Sequence, residues 1–213
     1  MKRYGQYCGL ARALDVIGER WSLLVVRELL EGPRRYGELL QGLPGIATNL
    51  LVERLRSLEA DGVVERQDDG RYALTSWGED LHEVVYALGR WAGPLMARPR
   101  GDDHFRPGWM RHMVVARFEG VDPERTDVTV ELRCDEAEPV TLISSEGRVR
   151  LTRGGSPSAD ITLAGPAEPV VGLLLGRIDR TEAERLGVRT SGNLRRLRGL
   201  RPRGERPSLT TRT

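Results

Sequence analysis

The strongest constraint on the fold is a change of period near residue 62. Apolar residues recur at helical spacing up to that point and at strand spacing just after it. In GIATNLLVERLRSLEADGVVER (Gly45–Arg66), a step of 100° per residue puts Leu55 and Leu58 within about 40° of Leu51. Those three leucines define one buried face. Asn49, Val52, Glu53 and Arg56 fall on the far side, where nothing in the segment calls for burial. Gly62 stops the helix, and VVERQDDGRYAL then gives two short extended runs around Asp69–Gly70, a favoured hairpin turn.

The segments before it are also helical. Tyr7–Ile17 places Leu10, Leu14 and Ile17 on one face and ends at Gly18. RWSLLVVRELLEG reads as a second helix, capped by Ser22 and stopped by Gly32–Pro33. It is apolar on nearly all sides and so belongs at the centre. RRYGELLQGL is a short third helix before Pro44–Gly45, and Thr75–Ala97 reads as one long final helix with a stripe from Leu81 to Leu95. Short helices followed by a β-hairpin make the order of a winged helix-turn-helix. In that architecture the helix before the hairpin enters the DNA major groove and the hairpin lies on the backbone or minor groove.

The outward face then has a candidate task. Asn49 has the chemistry to read adenine, and Arg56 suits a guanine or a phosphate; Thr48, Val52 and Glu53 share the surface. Arg34 and Arg35, beside the third helix, are placed to hold phosphates, as are Arg66 and Arg71 on the wing. The same residues equally describe an ordinary solvated face, and Glu53, Asp68 and Asp69 repel phosphate. Arg54 lies nearer the core edge, where it suits a structural partnership with a carboxylate.

Charge does not decide between these readings. The 213 residues carry a net charge of only +2, and residues 1–98 hold 13 Lys/Arg against 14 Asp/Glu. That balance disfavours a strong non-specific DNA binder and leaves a specific reader open. Lys2 is the only lysine among 33 basic residues, and arginine favours phosphate contacts. With 39% apolar residues the chain can bury a core. It has no apolar run of the roughly 20 residues that span a bilayer, and no signal-peptide core near Met1. With only Cys8 and Cys134 it is no disulfide scaffold, so the expected location is the cytoplasm, with no membrane insertion. His82, His104 and His112 lack metal-ligand spacing, and no nucleophile elbow, P-loop or dinucleotide fingerprint is present. The expectation is a non-enzyme without metal or cofactor.

Residues 7–95 resemble the HxlR family of bacterial winged-helix regulators, which are MarR-like. The resemblance is carried by Cys8, ALDVIGERW, EGPRRYGEL, LPGI and ERLRSLEADGVV. It implies a homodimer formed by the first and last helices of residues 1–98, two recognition helices and a roughly palindromic operator on double-stranded DNA. Cys8 stands where some members of the family sense electrophiles or oxidants, which makes it a redox-sensing candidate. A small buried hydrophobe is the other reading of a cysteine. Three departures stand out: Gly9 follows the cysteine where proline is usual, Ala47 replaces the usual serine cap so that Thr48 is the substitute, and the wing is short and acidic.

After the Pro- and Gly-rich linker 99–108 the pattern changes. RPGWMRHMVVARFEG fits neither period. DVTVELRC alternates strictly, with Val128, Val130, Leu132 and Cys134 on one face. PVTLISS, RVRLTR and ADITLAG follow as strands, and PAEPVVGLLLGR, DRTEAERLG and SGNLRRLRGL as helices. Residues 109–201 thus read as an α+β sheet-and-helix domain, and 202–213 as a disordered tail. ADITLAGP, LLLGRID and the LGVRTSGNLRRLRGL ending resemble the sterol-carrier-protein-like domain. That resemblance implies an effector pocket for an apolar small molecule or lipid, with Trp109, Phe118, Val171, Leu174 and Leu175 as pocket candidates. The sequence therefore supports a dimeric, ligand-modulated DNA-binding regulator. The alternative is an apolar-ligand carrier or protein-interaction module without sequence-specific DNA binding.

Overall fold

A computed structural model describes residues 3–93, 95, 106, 109–118, 127–135, 138–146 and 148–200. Most of the linker read at 99–108 and all of the tail read at 202–213 lie outside the described residues, as does residue 98, the limit read for the first domain. The chain forms two compact units, divided in sequence between Ala87 and Leu88.

The first unit opens with α1 (Gly9–Ile17), α2 (Ser22–Leu29), α3 (Tyr36–Gly42) and α4 (Thr48–Ala60). The hairpin follows as β1 (Val64–Arg66) and β2 (Tyr72–Leu74), antiparallel, with Val64 opposite Leu74 and Arg66 opposite Tyr72. Gly70, at φ +82°, completes the turn, with its N–H on the Gln67 carbonyl at 2.9 Å. The core holds Ile17, Val25, Val26, Leu29, Leu39 and the three α4 leucines. The central placement read for the second helix is what the structure shows, since α2 buries Val25, Val26 and Leu29.

Three local readings are corrected. Ser22 does not cap α2; Trp21 takes that position in a left-handed conformation (φ 79°), and Ser22 is the buried first helical residue. Thr48 does not cap α4; Ala47 occupies the cap position in extended backbone, and no side chain caps the helix. The single long helix from Thr75 is two helices, α5 (Ser76–Glu79) and α6 (Leu81–Trp91), separated at Asp80. Thr75 caps α5, its hydroxyl accepting from the Gly78 N–H at 3.0 Å while donating to the Gly62 carbonyl at 2.7 Å. That tie pins the start of α5 to the exit of α4.

The division falls within α6, so the second unit takes the last turn of that helix, Leu88–Trp91, and then α7 (Met110–Phe118), which settles the ambiguous stretch as helix. A five-stranded mixed sheet follows: β3 (Val128–Cys134), β4 (Val140–Ser145), β5 (Arg148–Arg153), β6 (Ile161–Gly165) and β7 (Arg189–Gly192), in the order β5-β4-β3-β6-β7. β3 and β6 are parallel, and the other neighbours are antiparallel. Between β6 and β7 come α8 (Ala167–Leu174) and α9 (Arg180–Arg185), and a 3-10 helix (Leu194–Leu200) ends the unit. Register lines Leu151, Leu142, Val130 and Ile161 across four strands of one face. That row joins Val114, Phe118, Val170, Val171, Leu174, Leu197 and Leu200 from the helices in one core. The alternation read in β3 places its apolar face correctly, but the other face is not open throughout. Glu131 is only 2% exposed, held by Arg133 Nε at 2.9 Å with the backbone at Gly155 against its carboxylate. Among the described residues no helix is long and apolar enough to cross a membrane.

Candidate nucleic-acid interface

α4 has two chemically distinct sides. Leu51, Leu55 and Leu58 are buried in the first unit's core, while Thr48, Asn49, Glu53 and Arg56 are exposed. Val52 is half-buried, so the outward surface is narrower than the sequence implies. Asn49, Glu53 and Arg56 are spaced i, i+4, i+7 and make one row along the helix. The Tyr36 hydroxyl donates to the Thr48 carbonyl at 3.0 Å, which fixes the entry of α4 to α3.

Arg54 behaves as its position at the core edge suggests. Its side chain is 7% exposed, with Nη2 2.7 Å from Glu53 Oε1 and Nη1 3.5 Å from Glu19 Oε2. Its Nε is buried without a hydrogen-bond partner.

The basic residues before α4 and on the hairpin form one group. Arg34 contributes a one-residue third strand: its N–H donates to the Tyr72 carbonyl at 2.9 Å and its carbonyl accepts from the Tyr72 N–H at 2.8 Å. The Tyr72 ring lies 5.8 Å from the Arg66 guanidinium, so Tyr72 ties the backbone of Arg34 to the side chain of Arg66. Arg35 is exposed at the start of α3, and its N–H donates to Glu38 Oε2 at 2.6 Å. Arg71 is already engaged, with Nε 2.6 Å from Asp69 Oδ2. The Asp69 carboxyl is held below the usual range, first by the Arg71 N–H, with smaller contributions from the Arg71 side chain and the charge of Arg35. The acidic wing tip thus neutralises one of its own cations and leaves Arg66 and Arg35 as the more available ones. Tyr36 and Tyr72 are the participants that sequence reasoning missed. Their positions, opening a helix and facing an arginine across a hairpin, were the only signals.

Cys8 occupies the N-cap of α1 and is exposed. The backbone N–H groups of Ala11 and then Leu10 hold its thiol below the ordinary value, although the sulfur makes no full capping hydrogen bond. Cys134 is buried, and burial pushes it up to about 12, aided by the charge of Asp135. Of the pocket candidates, Phe118, Val171 and Leu174 lie inside the second unit's core. Leu175 packs against that core half-buried, and Trp109 is half-buried outside it. Among the described residues no group of three His, Cys, Asp or Glu could hold a metal ion.

The model of the HxlR-like helix-turn-helix family matches residues 16–99. An uncharacterized HTH-type transcriptional regulator of Synechocystis, sll1512, is 38% identical over 90 residues, covering 39% of this chain and 67% of that protein. A Mycobacterium bovis regulator, Mb3122, is 40% identical over 98 residues, 43% of this chain and 61% of that one. YkvN of Bacillus subtilis is 35% identical over 99 residues, 44% of this chain and 82% of that one. The chain therefore spans about two thirds of the length of the first of these relatives, and somewhat less of the mycobacterial one.

Proposed function

Because the chain belongs to the HxlR-like helix-turn-helix family of DNA-binding transcriptional regulators, we propose that it works as a homodimer placing α4 of each copy in successive major grooves of a roughly palindromic operator. The observation that carries this reading is the two-sidedness of α4. Its inner face is anchored by fully buried leucines, so Asn49, Glu53 and Arg56 are presented on a rigid support. Arg34, Arg35 and Arg66 hold phosphates on either side and set the register. Dimerisation is supported by the apolar side chains that α1 and α6 leave exposed, Leu10 on the first and Val84, Leu88 and Trp91 on the second.

The test is affinity for the chain's own upstream DNA against scrambled DNA at two salt concentrations. A preference of about 10³-fold or more marks a specific reader. Arg35→Ala is expected to lower affinity for all sequences alike and to reduce the salt slope by about 0.9. Arg56→Ala is expected to lower operator affinity by about 5- to 150-fold if it reads a base. Indifference of DNA affinity to both changes removes the assigned surface. Lipid co-purification without any DNA preference would favour the carrier reading instead.

The second unit is read as the effector half. Its helices cover the apolar face of a sheet, and an apolar small molecule or lipid admitted between them near Phe118, Val171, Leu174 and Leu175, with Trp109 at the edge, has to open that packing. Such a ligand biases the dimer only through different affinity for its DNA-competent and incompetent forms.

Cys8 is the candidate sensor of electrophiles or oxidants. Its lowered pKa means the thiolate is populated at lower pH than in an ordinary thiol and declines as pH falls through the shifted value. Iodoacetamide, losing iodide to the thiolate, is expected to label Cys8 in the folded protein with a pH profile displaced to the acid side of a free cysteine peptide. Cys134 should be labelled only after unfolding. Equal labelling of both, read by peptide mass, contradicts this assignment.

A further inference from the structure

Glu53 is the one residue of the outward α4 row that electrostatics opposes. DNA phosphates repel a carboxylate, and the Glu53 side of its ion pair with Arg54 is 67% exposed, where solvent screens the attraction. Arg54 also has a second carboxylate in reach, Glu19 Oε2 at 3.5 Å, so Glu53 is not required to satisfy it. What a carboxylate does in a major groove is accept. The groove offers two base donors, the N4 amino group of cytosine and the N6 amino group of adenine. Adenine sets the N7 lone pair beside N6, facing a carboxylate with a second acceptor, whereas cytosine has only C5–H there.

We propose that Glu53 is a specificity-determining residue of α4, accepting a hydrogen bond from the N4 amino group of one cytosine in each half-site while Arg54 holds it in position. The proposal rests on the DNA-reading function above and names what one position reads. Glu53 is 67% exposed, yet Oε1 is fixed at 2.7 Å by an arginine only 7% exposed. Oε2 has no hydrogen-bond partner among the described residues. A carboxylate held from beneath by a buried cation loses less side-chain freedom on binding, and the guanidinium offsets part of its repulsion from phosphate. Asn49 and Arg56, one helical turn before and after, place adenine- and guanine-type readers on either side.

The experiment selects binding sequences for the full chain from randomised duplex DNA. It then measures affinity for all four bases at each half-site position, for the unaltered protein, Glu53→Ala and Glu53→Gln. The unaltered protein is expected to prefer cytosine at one position by about 5- to 150-fold. Glu53→Ala should lose that preference alone and keep the others. Glu53→Gln should move it to adenine, because the amide both donates to N7 and accepts from N6. An enriched operator whose base profile is unchanged in Glu53→Ala overturns the proposal and leaves the DNA-reading function standing. Enrichment of no sequence at all overturns both. A purely structural Glu53 would alter stability in Glu53→Ala without touching base preference.

Discussion

Replacing Leu10 by glutamate is expected to leave each chain folded and to lower operator affinity by about 10²- to 10⁴-fold. Leu10 is 70% exposed, so the substitution removes almost no packing within one chain. Tyr7 and Leu14 lie on the same stripe of α1 and its approach and are also exposed, as are Val84, Leu88 and Trp91 at i, i+4, i+7 along α6. Scattered exposed apolar residues are ordinary, but rows of them on two helices are what the proposed dimer would bury. In the proposed isologous dimer every contact occurs twice, so one substitution introduces two carboxylates into an apolar contact, each at a desolvation cost. Loss of the dimer converts two linked half-site contacts into independent ones, and that loss of effective concentration accounts for the affected range. Sedimentation equilibrium should show a monomer, and binding to an isolated half-site should be unchanged. A Leu10→Glu protein that stays dimeric with full operator affinity would place the interface elsewhere.

What the sequence could show follows from what is local. The three leucines of α4 and the Asp69–Gly70 turn were legible because helical period and turn chemistry are written within a few residues of each other. The left-handed backbone at Trp21 was not, because nothing in the residue type announces a positive φ and Ser22 next to it is the better local cap. The break at Asp80 was hidden for a similar reason: Thr75 caps a first short turn by accepting from the Gly78 N–H, and its hydroxyl is oriented by donating to the Gly62 carbonyl, thirteen residues earlier in the chain. α7 fits neither period because Val114, Val115, Ala116 and Phe118 are all buried, so it has no polar stripe to reveal a helix. β7 reads RTSG and has no apolar alternation; backbone pairing with β6 makes it a strand. Glu131 shows the limit of alternation itself, which separates two faces without saying whether the polar one is covered. At the candidate site, the residue types of α4 were readable, but Arg54's hold on Glu53 and Tyr72's position between Arg34 and Arg66 depend on tertiary contacts.

The two faces of α4 should separate cleanly under mutation. Leu51→Ala is expected to destabilise the first unit by about 2–5 kcal/mol, the cost of a lost buried side chain plus the cavity it leaves. Leu51 is fully buried, and its neighbours Leu55, Leu58, Val25 and Val26 are themselves at or near full burial, so little is free to collapse into the gap. Asn49→Ala, two residues away on the exposed side, is expected to change stability by no more than about 0.5 kcal/mol. Urea unfolding followed by a probe in residues 1–87 measures both, since the second unit can unfold in a separate transition. DNA affinity should show the opposite order, with Asn49→Ala weakening operator binding at a temperature where both proteins are folded. If Leu51→Ala costs less than about 1 kcal/mol, α4 is not anchored through its leucines. Its outward row would then lack the rigid support on which reading individual bases depends, and Glu53 and Arg56 would contact DNA only as mobile charges.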